Sequence, residues 1–233
     1  EVLPPIGQVA LVFTDIKHST LLWETNPGMQ AAIRLHNLLL RRQLRSIGGY
    51  EAKTEGDAFM VSFPSVGEAL LWCFSVQLRL LSVDWPQEIL DSDDGHPVHD
   101  EDGTLIYRGL SVRMGIHWGS PVCEVDPVNN RMDYFGPMVN RAARISNAAD
   151  GGQILVSRDV VNELEMLLGK YEDTETSPTE VTHPPLGQSH IPREVVFLRR
   201  LGLGIISMGE RRLKGIEIPE HLSLVYPKQL SGR

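Results

Sequence analysis

Val9-Ala10-Leu11-Val12-Phe13-Thr14-Asp15 is an apolar run that stops on an acid, and Glu51-Ala52-Lys53-Thr54-Glu55-Gly56-Asp57-Ala58-Phe59-Met60 reads as two extended arms around a Gly-Asp turn. The first predicts a buried strand and the second a hairpin. Each holds a carboxylate at a fixed backbone position, so Asp15 and Asp57 are presented with little side-chain freedom. Two such acids can hold a pair of divalent ions on a polyphosphate. Either acid alone is an ordinary cap or turn residue, and it is their surroundings that change the reading.

Working outward, Lys17-His18-Ser19-Thr20 follows Asp15 at a predicted strand-to-helix turn, where backbone N–H groups can cradle phosphates. Ser19 and Thr20 serve there equally well as simple N-caps. Asn26-Pro27 predicts an N-cap with Pro at the first helical position. Met29, Ile33, His36, Leu40, Leu44 and Ile47 then recur at helical spacing until Gly48-Gly49. After the hairpin, Val66, Ala69, Leu70, Cys73, Phe74, Gln77 and Leu81 form a second helical stripe. Residues 84–109 are polar, Asp/Gly/Pro-rich and aperiodic, which predicts a loop insertion. Leu110, Val112, Met114 and Ile116 alternate with more polar neighbours as in a half-buried strand that turns back at Gly119-Ser120-Pro121. A short extended stretch at 132–135, a helix from Gly136-Pro137 to Ala149, a strand at 153–157 and a helix at 160–168 complete the central part. A second loop insertion is expected near 170–193, and short strands around Glu210–Gly215 in the tail. This order suits an α+β sandwich of helices on a mostly antiparallel sheet, with 1–233 read as one domain.

Apolar content of 42% is enough for a sizeable core, and no apolar stretch approaches the ~20 residues of a membrane-spanning helix. The net charge of −8 argues against a nucleic-acid surface, which needs clustered Lys and Arg. The acids from Asp91 to Asp102 read as a solvated loop, and His96 and His99 among them as solvated rather than zinc ligands. Cys73 and Cys123 do not make a disulfide framework, and reduced thiols are expected. The beginning, Glu1-Val2-Leu3-Pro4-Pro5, has the look of a domain excised from a longer chain.

The second informative block is Met132-Asp133-Tyr134-Phe135-Gly136-Pro137-Met138-Val139-Asn140-Arg141-Ala142-Ala143-Arg144. Asn140 and Arg144 stand four apart and share a helix face, where together they can reach a ribose and a phosphate. By itself the block is equally a helix surface with a solvated Arg, and Lys214 equally an anion ligand or a turn lysine.

Together, Phe-Thr-Asp-Ile at 13–16, Lys-Thr-Glu-Gly-Asp-Ala-Phe-Met at 53–60, Arg-Met-Gly-Ile-His-Trp-Gly at 113–119, Asp-Tyr-Phe-Gly-Pro-Met-Val-Asn-Arg-Ala-Ala-Arg at 133–144 and Leu-Lys-Gly at 213–215 follow a known order. The chain resembles class III nucleotidyl cyclase catalytic domains, the fungal Ras-responsive adenylate cyclases most of all. The likeness covers most of 8–157 and resumes at about 205–226. It implies a ferredoxin-like α+β sandwich that makes 3′,5′-cyclic AMP and pyrophosphate from ATP at a homodimer interface. It further implies that Asp15, Asp57 and the backbone carbonyl of Ile16 hold two Mg²⁺ or Mn²⁺ ions. Lys53 and Asp133 fall at the base-selecting positions and favour adenine; Asn140 aligns the ribose, Arg144 stabilises the transition state and Lys214 binds the terminal phosphates. The expected setting is cytoplasmic, or peripheral at a membrane in a full-length protein, with a Ras-type GTPase and a cyclase-associated protein as partners. Ser120 departs from the basic residue common in relatives, and the two insertions have no counterpart in the minimal domain. A guanylate cyclase and a catalytically weak or silent regulatory module are the alternatives, and His117 reads as a structural strand residue.

Overall fold

The computed structural model describes residues 2–172 and 191–233. The apolar run becomes strand β1 (Val9–Ile16), buried along nearly its whole length. It is hydrogen-bonded on one side to β3 (Ala58–Phe63), whose hairpin partner is β2 (Tyr50–Glu55), and on the other to β6 (Val112–Gly119). The sheet runs β10-β11-β9-β6-β1-β3-β2, with β9 (Ile154–Ser157), β10 (Leu203–Arg211) and β11 (Glu220–Pro227) completing it. Only the β6–β9 pairing is parallel, so the mostly antiparallel α+β expectation holds.

Alternation along β1 assigns its two faces. Ala10, Val12 and Ile16 enter a core shared with α2 (Met29–Ile47) and α3 (Val66–Leu80), together with Val160 and Leu164 of α6 (Arg158–Gly169) and Leu198 of α7 (Arg193–Leu201). Val9 and Leu11 face the other way, towards Ala142 of α5 (Pro137–Ala148). α5 lies against β6 because residue 115 is Gly, where a Cβ would meet the Ser146 backbone nitrogen at 2.2 Å. A separate hairpin, β7 (Val122–Val125) and β8 (Met132–Phe135), leads into α5.

Four local expectations are corrected. Helix α2 starts at Met29 after Gly28, and Asn26 instead accepts the Gly28 N–H through its side chain, closing a tight turn ahead of the helix. Ser19 and Thr20 are not N-caps: α1 (Ser19–Thr25) is preceded by His18 in a left-handed conformation with no side-chain cap bond. The tail is not merely short strands, because α7 precedes two long ones; its helical signal rests on Val195 and Leu198 alone, three residues apart. β6 is buried on both faces rather than one, since Gly115 and His117 are buried as well as Met114 and Ile116.

Residues 84–109 are only in part a solvated excursion. Asp91, Asp93, Glu101 and Asp102 face solvent, but Trp85 is 4% exposed and Ile89 fully buried in the main core. The segment carries α4 (Gln87–Leu90) and a small hairpin of β4 (Val98–His99) and β5 (Leu105–Tyr107). Of the other insertion, expected at 170–193, residues 173–190 lie outside the described residues, and Arg193 already belongs to α7. Cys73 and Cys123 are both free, and burial pushes the Cys73 thiol up.

Two buried histidines tie stability to pH. Burial holds both His36 and His117 down to about 4, below the ordinary value of 6.5. The unfolded chain therefore takes up protons that the folded chain refuses, and stability falls as pH drops from about 6.5 towards about 4. Denaturant midpoints recorded across that window check this, and His36→Leu should flatten the slope. Trp85→Ala should cost about 3–5 kcal/mol if the 84–109 segment is integral to the core, and nearly nothing if it is a solvated loop.

Candidate active site

β1 delivers Asp15 at its penultimate position, and the β2–β3 turn delivers Asp57 through Gly56, which takes the left-handed φ of 63°. The two ends are joined directly: the Ile16 N–H donates to Asp57 Oδ2 at 3.0 Å. Burial raises the Asp15 carboxyl above the usual carboxylate range, the Arg113 guanidinium offsets part of that, and the neighbouring Asp57 acid adds to the rise. Arg113 stands opposite Asp15 in the β1–β6 register and donates through Nη2 to Asp15 Oδ2 at 2.6 Å. Two carboxylates crowded at one sheet end, with an adjacent carbonyl at Ile16, make a hard oxygen donor set that suits Mg²⁺ or Mn²⁺. Among the described residues no cluster of three or more His, Cys, Asp or Glu side chains forms.

Lys53 on β2 and Asp133 on β8 form an ion pair at 3.0 Å, although 80 residues separate them. Their strands are held together by the Met132 N–H donating to Tyr50 Oη at 3.1 Å and by Arg131 Nη2 donating to the Glu51 carbonyl. The Lys53 ammonium also lies 5.7 Å from the centroid of the Phe135 ring. Asp133 Oδ1 accepts the Tyr134 N–H at 2.8 Å, which limits its rotation.

α5 is entered from Gly136, whose φ of 102° suits glycine, and starts at Pro137. It presents Asn140 and Arg144 on one face, with Ala142 and Ile145 buried behind them. Lys214 sits in the β10–β11 connection, anchored by its neighbour Leu213, which packs with Ile145 in a small apolar cluster. A cavity of about 380 Å³ is lined by Asn140, Ala143, Arg144, Lys214, Gly215 and Ile216. A second, of about 280 Å³, is lined by Phe13, Lys53, Glu55 and Met60 together with the same Asn140 and Ala143. Asn140 thus lines both cavities, linking the one that holds Lys53 to the one that holds Arg144 and Lys214. Neither Asp15 nor Asp57 lines either cavity.

Arg113 is the partner of the acid pair that the sequence reading passed over. Its alternation on β6 was legible, but its register opposite Asp15 was not. His117 is buried in β6 with Nδ1 2.7 Å from Ser157 Oγ.

Residues 2–193 match the Adenylate and Guanylate cyclase catalytic domain family, and the chain belongs to that family. It is 66% identical over its whole length to an adenylate cyclase of Mycosarcoma maydis, of which it covers 10%, and 53% identical to an adenylate cyclase of Schizosaccharomyces pombe, of which it covers 13%. Among solved structures, a Trypanosoma brucei adenylate cyclase in its monomeric state superimposes with a TM-score of 0.72 at 26% identity, covering 100% of this chain and 95% of that one. The adenylyl cyclase CyaB of Pseudomonas aeruginosa shares the fold, with a TM-score of 0.62 at 18% identity over 94% of this chain and 93% of that one.

Replacing Arg113 with Met should raise the Asp15 carboxyl further, because the offsetting guanidinium is lost while burial and Asp57 remain. A carboxyl NMR titration of the parent chain and the variant reads this directly.

Proposed function

We propose that this chain is a single adenylate cyclase catalytic domain, converting ATP to 3′,5′-cyclic AMP and pyrophosphate. The observation that carries the reading is the Lys53–Asp133 pair beside a cavity that also takes in Asn140. A donor and an acceptor side by side match the adenine edge, with Lys53 donating to a ring nitrogen and Asp133 accepting from the exocyclic amine. Asn140 orients the ribose. The 3′-oxygen then bonds to the α-phosphorus, the bond to the bridging oxygen breaks, pyrophosphate leaves, and the hydroxyl proton passes to solvent. Arg144 donates to the phosphoryl oxygens where charge builds up, and Lys214 holds the terminal phosphates. Asp15, Asp57 and the Ile16 carbonyl would hold two Mg²⁺ or Mn²⁺ ions, which acidify the attacking hydroxyl and neutralise the leaving group.

Neither acid of the pair lines the two cavities proposed for the nucleotide, which supports a homodimer whose sites are each assembled from both protomers. The chain spans about a tenth of the fungal relatives, so a Ras-type GTPase and a cyclase-associated protein are proposed as partners of a longer protein only. No described helix is long and apolar enough to cross a membrane; a cytoplasmic setting, or a peripheral one at the membrane, is part of the proposal.

Cyclic product should form from ATP and not GTP, with Mg²⁺ or Mn²⁺, and disappear in Asp57→Ala. Equal use of GTP would overturn the base assignment. Arg144→Ala should lower kcat on the order of 10²–10³ with a smaller change in KM. Mixing Asp57→Ala with Arg144→Ala chains should restore one good site per heterodimer, and no recovery in verified heterodimers would sink the shared-site reading.

A further inference from the structure

The 84–109 segment reaches both ends of α1, the seven-residue helix that directly follows the acid pair's strand. At its start, His18 Nδ1 lies 2.7 Å from Asp94 Oδ1. At its end, the Asn26 side-chain amide donates to the Glu88 carbonyl at 2.8 Å. His18 has φ 56°, and only one other non-glycine described residue, Asn130, has positive φ. Such a conformation is uncommon for a side-chain-bearing residue and persists where neighbours hold it.

Asp94 is itself held firmly. It precedes Gly95, where a Cβ would meet the Ile89 carbonyl oxygen at 2.2 Å. The Gly95 carbonyl accepts the Gly109 N–H at 2.9 Å. Gly109 (φ 80°) lies so close to Trp85 that a Cβ would fall 1.9 Å from the indole nitrogen. Buried Trp85 and Ile89 root this chain of contacts in the main core. On the other side of the loop, the Lys17 N–H donates to the Ser111 carbonyl at 2.9 Å, and Lys17 Nζ pairs with Asp150 at 3.1 Å, both partners being well exposed.

The geometry points to Asp94 as a positioning residue that latches His18 and thereby fixes the loop carrying Asp15 and Ile16. The 84–109 segment is then a built-in brace for the ion site. The inference rests on the assignment of Asp15 and Asp57 as ion ligands, and its readouts do not require turnover.

Four variants of the chain test it: Asp94→Ala, Asp94→Asn, His18→Gly and the double Asp94→Ala/His18→Gly. Glycine accepts the left-handed conformation, so His18→Gly removes the latch without adding strain. Mn²⁺ binding is read by electron paramagnetic resonance titration, and amide exchange over 16–25 by mass spectrometry, both without nucleotide. Asp94→Ala should speed exchange there at least tenfold and weaken Mn²⁺ binding severalfold, with an unchanged melting midpoint. Asp94→Asn, which keeps the acceptor oxygen, should restore both, and the double variant should be no worse than either single one. Unchanged exchange over 16–25 in Asp94→Ala, or fully additive effects in the double variant, would overturn the latch. Faster exchange with unaltered Mn²⁺ binding would overturn its role at the ion site. If the unaltered chain bound Mn²⁺ but made no cyclic product, the cyclase reading would fail while the latch stood on its own results.

Discussion

The hydrogen bond from the Ile16 N–H to Asp57 is the contact on which the site depends. It joins the end of the central strand to the tip of the neighbouring hairpin, so two acids are brought together where mutual repulsion would otherwise part them. The folded chain tolerates this because Arg113 offsets part of the charge and because β1 is buried and hydrogen-bonded on both sides. The strain is electrostatic and is stored where a cation would relieve it. A carboxyl raised by burial beside a second acid, as Asp15 is, is the kind of group that gathers at functional sites.

The rest of the architecture places two further rows of groups against that frame. β2 and β8 are brought side by side by Tyr50 and Arg131, which lets Lys53 and Asp133 meet. α5 is drawn onto the sheet by the missing side chain at Gly115, while Ser146 donates to the Phe13 carbonyl at 3.1 Å. That close approach sets the height of Asn140 and Arg144 over the sheet. Leu213, packed with Ile145, carries Lys214 to the same helix. Arg144 and Lys214 thus line one cavity with no salt-bridge partner among the described residues, which leaves both available for an anion.

The 84–109 segment shows how aperiodic sequence can still be structural. Its apolar residues, Trp85, Ile89 and Ile106, are too scattered to form a stripe, the first two entering the main core and the third a smaller cluster with Leu81 and Leu230. Composition therefore described its exposed acids correctly and missed its anchors. The same cause hid α7, a short helix with two buried residues, following a proline-rich stretch.

The sequence by itself determined the sheet's central strands, the long helices and the candidates for the site, because hydrophobic period and motif order are local properties of the chain. The acid pair, the Asn140–Arg144 face and the family were all legible in that way. Only the tertiary structure decided that Arg113 meets Asp15, that Lys53 meets Asp133 across 80 residues, and that Asp94 holds His18. Those contacts depend on strand register and on the close approach of separate segments. No periodicity along the chain encodes either, since both are fixed only when the two surfaces pack.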